Sequence, residues 1–389
     1  MKVNSPWPSF SQMELDAVST VLQSGMVNYW TGEECKLFEL EFAELFDAKY
    51  AISLTNGTAA LELALEALGV GDGDEVITTP RTFMASASCV VTRGAKPVFA
   101  DVDFDSGNIS AETIEAVITS NTKAIIPVHL AGMPCEMDDI LSLAEKYNLY
   151  VIEDCAQAHG AKYKGRPVGS IGHFGAFSFC QDKIMTTGGE GGMLITNDEE
   201  LWKKAWAYKD HGKSYDAVYN RDHPPGFRWL AESFGTNFRM TEMQAAIGRI
   251  QLKLLPEWIN RRQEYANKLD HVVSKYPALI KQDIPDYIEH ARYKYYTYVN
   301  TKELIEGWDR DRIQDEFWKN GIPCYVGSCS EIYNEEAFVK KGLRPVEPLP
   351  IARELGLISL MFLIHPTLTI NEIDATCQMI EKIIGKASK

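Results

Sequence analysis

Phe177-Ser178-Phe179-Cys180-Gln181-Asp182-Lys183, followed closely by Thr186-Thr187-Gly188-Gly189-Glu190-Gly191-Gly192, joins a short apolar run, a lysine and a glycine-rich loop. A lysine held between a buried strand and such a loop is poorly explained as a solvated surface charge. The glycines permit positive φ and close backbone approach. No Gly-Lys-Ser/Thr follows, which excludes the phosphate loop of nucleotide hydrolases. Upstream, Glu153 and Asp154 end another apolar run, Leu149 to Ile152, so an amine and a carboxylate can converge at one sheet edge. That pairing suits a cofactor bound as a Schiff base. A lysine amine condenses with the aldehyde of pyridoxal phosphate, and a buried carboxylate keeps the pyridine nitrogen protonated. The plain alternative for Asp154 is a helix N-cap.

Outward from this stretch, residues 50 to 197 alternate β-rich runs with amphipathic stretches, the pattern of βα units on a mainly parallel sheet. Strands are predicted over Tyr50 to Leu54, Glu75 to Thr78, Pro97 to Val102, Lys123 to Val128, Leu149 to Glu153, Ala176 to Phe179 and Gly192 to Thr196. Helices are predicted over Thr58 to Leu68, Asp138 to Tyr147, Thr241 to Leu255 (ending before Pro256) and Trp258 to Lys275. Beyond 256 the texture changes. Tyr293 to Val299, Arg310 to Lys319 and Ile370 to Ile384 suggest a smaller α+β unit. The expected organisation is an N-terminal arm over residues 1–45, a large α/β domain over 46–256 and a small α+β domain over 257–389. Residues 213 to 235 are expected to be a long aromatic loop, and Gly69-Val70-Gly71-Asp72-Gly73-Asp74 lies between a predicted helix and strand, the reverse of a dinucleotide fingerprint, and reads as a turn.

Composition excludes several classes. The 389-residue chain is 45% hydrophobic and carries 39 Lys+Arg against 54 Asp+Glu, a formal charge of -15. Such a balance repels nucleic acid and anionic membranes. No apolar run approaches the roughly 18 residues that span a bilayer, and Met1-Lys2-Val3-Asn4-Ser5-Pro6-Trp7-Pro8 lacks the core of a signal peptide, so a cytoplasmic location is expected. The eight cysteines are scattered without a Cys-x-x-Cys pair, and the histidines show no zinc-ligand pair. They are expected to be reduced thiols, with no metal site.

Further candidates sit at strand ends. Asn56-Gly57-Thr58 follows a strand and opens a helix, so backbone N–H groups and the Thr58 hydroxyl can cradle a phosphate, or simply cap the helix. Ser178 can add a hydroxyl. Phe83 offers a flat apolar face for a planar ring, although aromatics more often fill cores. Gln157 lies within reach of a ring hydroxyl, and Ala156 is small enough to let a ring lie flat.

Together these segments resemble the DegT/StrS family of pyridoxal-phosphate-dependent sugar-nucleotide aminotransferases of fold type I. The matching elements are Asn56 to Leu61, Thr82-Phe83, Glu153 to Gln157, Ser178 to Lys183 with its Gly-Glu-Gly-Gly loop, His211-Gly212, and Gly235 to Glu242, so nearly the whole chain is covered. The resemblance implies an α/β fold with a mainly parallel seven-stranded sheet flanked by helices. It implies that Lys183 carries the cofactor, Asp154 pairs with its ring nitrogen, Gln157 contacts the ring oxygen, Phe83 stacks, and Gly57, Thr58 and Ser178 hold the phosphate. Asn237 would reach the neighbouring subunit's phosphate, implying a homodimer with shared sites. Thr31 resembles a substrate-side position, and His211, Arg239 and His365 are either substrate contacts or structural groups.

The implied reaction moves an amino group from L-glutamate to a keto-sugar nucleotide, most simply a 4-keto-6-deoxyhexose, for amino-sugar or polysaccharide synthesis. The loop over 213 to 235 and the segment Gly327 to Tyr333 depart from the family pattern and leave the sugar open. Three alternatives are weighed. A dehydratase branch carries His at the position of Lys183. A regulatory relative would have no catalysis. Another fold type I transaminase would act on a cyclitol or an amino acid.

Overall fold

A computed structural model describes residues 3–389. All seven predicted strands form, with ends shifted by a few residues: β1 (Tyr50–Leu54), β2 (Glu75–Thr78), β3 (Lys96–Phe99), β4 (Thr122–Ile126), β5 (Tyr150–Asp154), β6 (Phe174–Ser178) and β7 (Gly192–Thr196). They make one seven-stranded sheet in the order β1-β7-β6-β5-β4-β2-β3. Neighbours from β3 to β6 are parallel, and β7 runs antiparallel to both β6 and β1. Every residue of β2, β6 and β7 is buried, as expected of strands covered on both faces.

The helices that cover the sheet include α1 (Gln12–Ser24), α2 (Glu34–Leu45), α3 (Gly57–Ala67), α4 (Ala85–Thr92), α5 (Met137–Tyr147), α6 (Glu199–Lys209) and α7 (Glu242–Val273). The expected N-terminal arm is well integrated. Phe38 and Phe42 of α2 are fully buried against Phe177 and Phe179, beneath the stretch that carries Lys183. Among the described residues no helix is long and apolar enough to cross a membrane.

The expectation that a helix ends before Pro256 is corrected. Helix α7 runs through it as one element of 32 residues, and the boundary placed at 256 falls inside it. Proline within a helix costs about 3 kcal/mol for a lost hydrogen bond and a ring clash. Packing on both sides offsets that cost. Leu252 and Leu255 are buried in the core of the large sheet, while Tyr265, Ala266, Leu269, Val272 and Val273 are buried in a second core.

That second core belongs to a small antiparallel sheet of β8 (Leu279–Lys281), β9 (Tyr295–Val299), β10 (Cys324–Tyr325) and β11 (Ser359–Phe362), in the order β8-β9-β11-β10. Helices α8 (Arg310–Lys319) and α9 (Ile370–Ala387) pack with it. Alternation along β9 divides its side chains. Tyr295 and Val299 enter the small core, whereas Tyr296 and Tyr298 face the other way, toward Arg81 beyond β2.

Candidate active site

Strands β1, β2, β5 and β6 all end at the same sheet edge, the place where open α/β sheets bind ligands. A cavity of about 910 Å³ opens there. Of the side chains singled out in the sequence, Gly57, Thr58, Phe83, Asp154, Gln157, Ser178 and Lys183 line it. Each arrives by a local rule. Asn56 caps α3 by accepting from the Ala59 N–H at 2.8 Å, so the cap forms and the N–H groups of Gly57 and Thr58, which open the helix, are left toward the cavity. Ser178 ends β6 beside them. A Cβ built at Gly57 would lie 2.6 Å from Ser178 Cβ, so only glycine allows this approach.

Adjacent residues on a strand face opposite ways, which separates Glu153 from Asp154. Glu153 turns into the protein and accepts from the backbone N–H groups of Gly169 (2.8 Å), Ile171 (2.8 Å) and Gly172 (2.7 Å). The Nε2 of His129 lies 3.0 Å from it; because His129 Nδ1 accepts from the Cys135 N–H, Nε2 carries the proton. His129, Glu153 and Cys155 cluster closely enough for a metal, but this carboxylate is already saturated by four donors.

Asp154 faces the cavity. It is 4% exposed and accepts from Ser86 Oγ at 2.7 Å and from the Ala156 N–H at 3.1 Å. Burial pushes its carboxyl above the ordinary range, against the pull of those two bonds and of Lys183. Among the described residues it makes no ion pair, and the pull of Lys183 does not offset its burial. Gln157 is oriented by its Oε1, which accepts from the Ala131 N–H at 2.8 Å and leaves the amide NH₂ as its free end. Phe83 is 68% exposed, an unusual setting for an aromatic that lines a cavity.

Lys183 is held by its backbone. Its N–H donates to Cys180 O at 3.1 Å, and its carbonyl accepts from Trp7 Nε1 at 2.8 Å. The amine donates no hydrogen bond to a protein acceptor among the described residues and lies 5.5 Å from the centroid of the Tyr293 ring. The Tyr293 hydroxyl donates to Asp182. Burial tends to raise the Asp182 carboxyl, but Lys183, this hydroxyl and Lys294 bring it below the ordinary range.

The other sequence candidates lie outside this cavity. Thr31 is exposed and bonds the Asn28 carbonyl. His211 is exposed at a positive φ of 59°, and Arg239 is ion-paired with buried Asp210. Asn237 is exposed, in a backbone bridge to Asp210. His365 is bonded to Thr367, and burial beside Arg262 and Lys294 pushes it down to about 3.

The small unit supplies a wall that sequence reasoning missed, with Tyr293, Lys294, Tyr296, Tyr325 and Met361. Gly327 and Ser328, from the atypical segment, also line it. A Cβ at Gly327 would lie 2.2 Å from the Tyr296 hydroxyl, to which the Ser328 N–H donates at 2.8 Å. The set converging on the large-domain edge, with helix N–H groups and a hydroxyl for an anion, a free amide, a buried carboxyl and a free amine, fits pyridoxal phosphate.

Comparison with known proteins agrees. The family model described as "DegT/DnrJ/EryC1/StrS aminotransferase family" matches residues 8–381. An aminotransferase from Psychrobacter cryohalolentis is 60% identical, with a TM-score of 0.97, covering 98% of this chain and 99% of that one. The GDP-perosamine synthase of Escherichia coli O157:H7 is 34% identical over 375 residues, 96% of each chain. A putative sugar aminotransferase from Streptococcus pneumoniae, solved in a PLP form, superposes with a TM-score of 0.88 at 27% identity, over 99% of both chains. The architecture is fold type I.

Proposed function

The chain belongs to the DegT/DnrJ/EryC1/StrS aminotransferase family, and from that membership we propose that it is a sugar aminotransferase moving an amino group from L-glutamate to a keto-sugar nucleotide, with pyridoxal phosphate as cofactor. The observation that carries the reading is the pair Lys183 and Asp154, an amine without a protein partner and a buried carboxyl without an ion pair among the described residues, in one cavity. A relative named GDP-perosamine synthase supports a nucleoside-diphosphate sugar as acceptor, and the acceptor we propose is a 4-keto-6-deoxyhexose.

When bound, pyridoxal phosphate supplies an aldehyde that condenses with amines and a pyridinium ring that withdraws electrons from the bond to the α-hydrogen. Gly57 and Thr58 N–H groups and the Ser178 hydroxyl would hold the phosphate. Asp154 would keep the ring nitrogen protonated and gain an ion-pair partner in doing so. The Gln157 amide would donate to the ring oxygen, and Phe83 would cover one face. Lys183 is both anchor and base. Displaced by the donor amine, its Nζ would take the donor's α-proton; water would supply the keto oxygen of 2-oxoglutarate while the amino group stays with the cofactor, and in the second half-reaction the keto sugar's oxygen would leave as water and the same Nζ would protonate the carbon that gains the amine. Asn237, exposed and outside its own cavity, is assigned to the neighbouring subunit's phosphate in a homodimer with shared sites. Lys183 argues against the dehydratase branch.

The test is the visible absorbance of the protein loaded with pyridoxal phosphate, before and after L-glutamate. Loss of the lysine-bound band and rise of the pyridoxamine band are expected, with recovery on adding the keto-sugar nucleotide. A wild-type spectrum unmoved by glutamate would overturn the donor assignment. Lys183→Ala should show no lysine-bound band; sustained multiple turnovers by that variant would overturn the mechanism.

A further inference from the structure

Lys294 has no task in the reaction as described. It stands immediately before β9, and its Nζ lies 4.5 Å from the Tyr293 ring centroid, while Lys183 Nζ lies 5.5 Å from the same centroid, so the two nitrogens are within about 10 Å of each other. Two amines thus flank one aromatic ring on the cavity wall. The neighbouring carboxylate, Asp182, already accepts from the Tyr293 hydroxyl. Among the described residues Lys294 Nζ makes no hydrogen bond or ion pair. Burial pushes the amine down to about 8; Asp182 opposes that shift, while Arg262 and Lys183 add to it. A cation so placed costs free energy until an anion arrives.

Among the described residues Lys183 and Lys294 are the two cationic side chains that line the cavity, and the cofactor claims Lys183. The amino donor brings an anion to this spot. Its α-carboxylate sits two bonds from the nitrogen that replaces Lys183 Nζ. The diphosphate of a sugar nucleotide lies across the hexose ring from a reacting C4 and so farther from Lys183. We infer that Lys294 anchors the α-carboxylate of the amino donor, a specificity-determining contact that the wall of the small domain brings to the reacting lysine. The inference rests on the function proposed above.

The test uses full-length protein loaded with cofactor, as wild type, Lys294→Met and Lys294→Arg. Binding of 2-methylglutamate, which has no α-proton to lose, is titrated by its spectral shift. The two half-reactions are timed separately, with glutamate and with a nucleoside-diphosphate 4-keto-6-deoxyhexose. Losing a charge-assisted contact should weaken 2-methylglutamate and glutamate by about tenfold or more in Lys294→Met. Pyridoxal phosphate affinity and the sugar half-reaction should hold, and Lys294→Arg should restore most donor binding. Unchanged donor binding in Lys294→Met would overturn the assignment. So would a loss confined to the sugar half-reaction, which would move the contact to the diphosphate. A wild-type protein that ignores glutamate overturns the proposed function; a responsive wild type matched by Lys294→Met overturns only the role of Lys294.

Discussion

Replacing Gly57 by alanine tests whether the start of α3 and the end of β6 must nearly touch to hold a phosphate. The new Cβ would meet Ser178 Cβ at 2.6 Å and Ser178 Cα at 3.1 Å. Carbon pairs settle at about 3.5–4.0 Å, so the two elements must part by about 1 Å. Neither moves freely. Ser178 is registered against Gly192 of β7, and α3 buries Ala60, Leu61, Leu63 and Ala64 in the core. Overpacking of this kind costs about 1–3 kcal/mol, of which the better helix propensity of alanine returns up to about 1 kcal/mol. The net loss of fold stability should therefore be modest. The cradle suffers more. Moving the Ser178 hydroxyl away from the Gly57 and Thr58 N–H groups removes at least one bond to a charged phosphate, about 1.5–3 kcal/mol, or roughly 10- to 100-fold in affinity. Apo protein titrated with pyridoxal phosphate and followed by absorbance measures this, with thermal unfolding of the apo form as the stability control. Asn56→Ala is the matched variant. It removes the cap on Ala59 and costs about 1 kcal/mol of stability while leaving the two elements in contact. Wild-type affinity in Gly57→Ala would refute the cradle.

Asp154→Asn should still bind pyridoxal phosphate yet lose turnover by on the order of a hundredfold or more, because the ring nitrogen loses its charged partner; near-wild-type steady-state rates would remove Asp154 from the mechanism. Glu153→Ala should destabilise by about 3–5 kcal/mol in urea unfolding, since three backbone N–H groups and His129 lose their common acceptor; a shift under 1 kcal/mol would mean that water replaces the carboxylate. Lys294 gives a pH signature in the apo protein. Its folded value of about 8 lies below the ordinary 10.5 of a lysine, so the unfolded chain binds more protons between those values and stability rises with pH across that window. Lys294→Met should accordingly be more stable than wild type at pH 7, by about 1–3 kcal/mol, with the gap closing toward pH 10.5; a pH-independent difference would contradict the burial of the charge.

The large sheet is legible because each strand is a continuous apolar run bounded by turn residues or charge. Glu75–Thr78 and Gly192–Thr196 form over the ranges predicted. Strand direction is a different matter. A strand buried on both faces carries the same apolar pattern either way round, so nothing in Gly192-Met193-Leu194-Ile195-Thr196 marks β7 as the antiparallel member. At Pro256 a sound local rule loses to packing. The proline penalty is a few kcal/mol, while the helix buries side chains in two separate cores, and a window of ten residues cannot register both.

The same distinction between local and distant information runs through the site. Gly57, Thr58, Asp154, Ser178 and Lys183 follow strand ends, and a parallel sheet delivers all its strand ends of one sense to one edge, so chain order alone brings them together. Tyr293, Lys294 and Tyr296 come from the start of β9 and the residues just before it, and no spacing rule links that second sheet to Lys183. Their one local sign was a strand rich in tyrosine, a residue equally common in cores. The Glu153-Asp154 pair shows what a strand adds to a motif. Two adjacent acids beside an apolar run suggest a demand for positive charge, but alternation gives them opposite fates. Glu153 meets its demand with backbone N–H groups and a neutral histidine, and Asp154 is left without an ion pair among the described residues. The charge that the cofactor must bring is therefore set by which of two neighbouring residues faces the cavity, and that follows from the register of β5 against β6 at Ile152, Glu153 and Asp154. A one-residue slip there would put either Ile152 where the loop needs its acceptor or Cys155 where the cavity needs its acid.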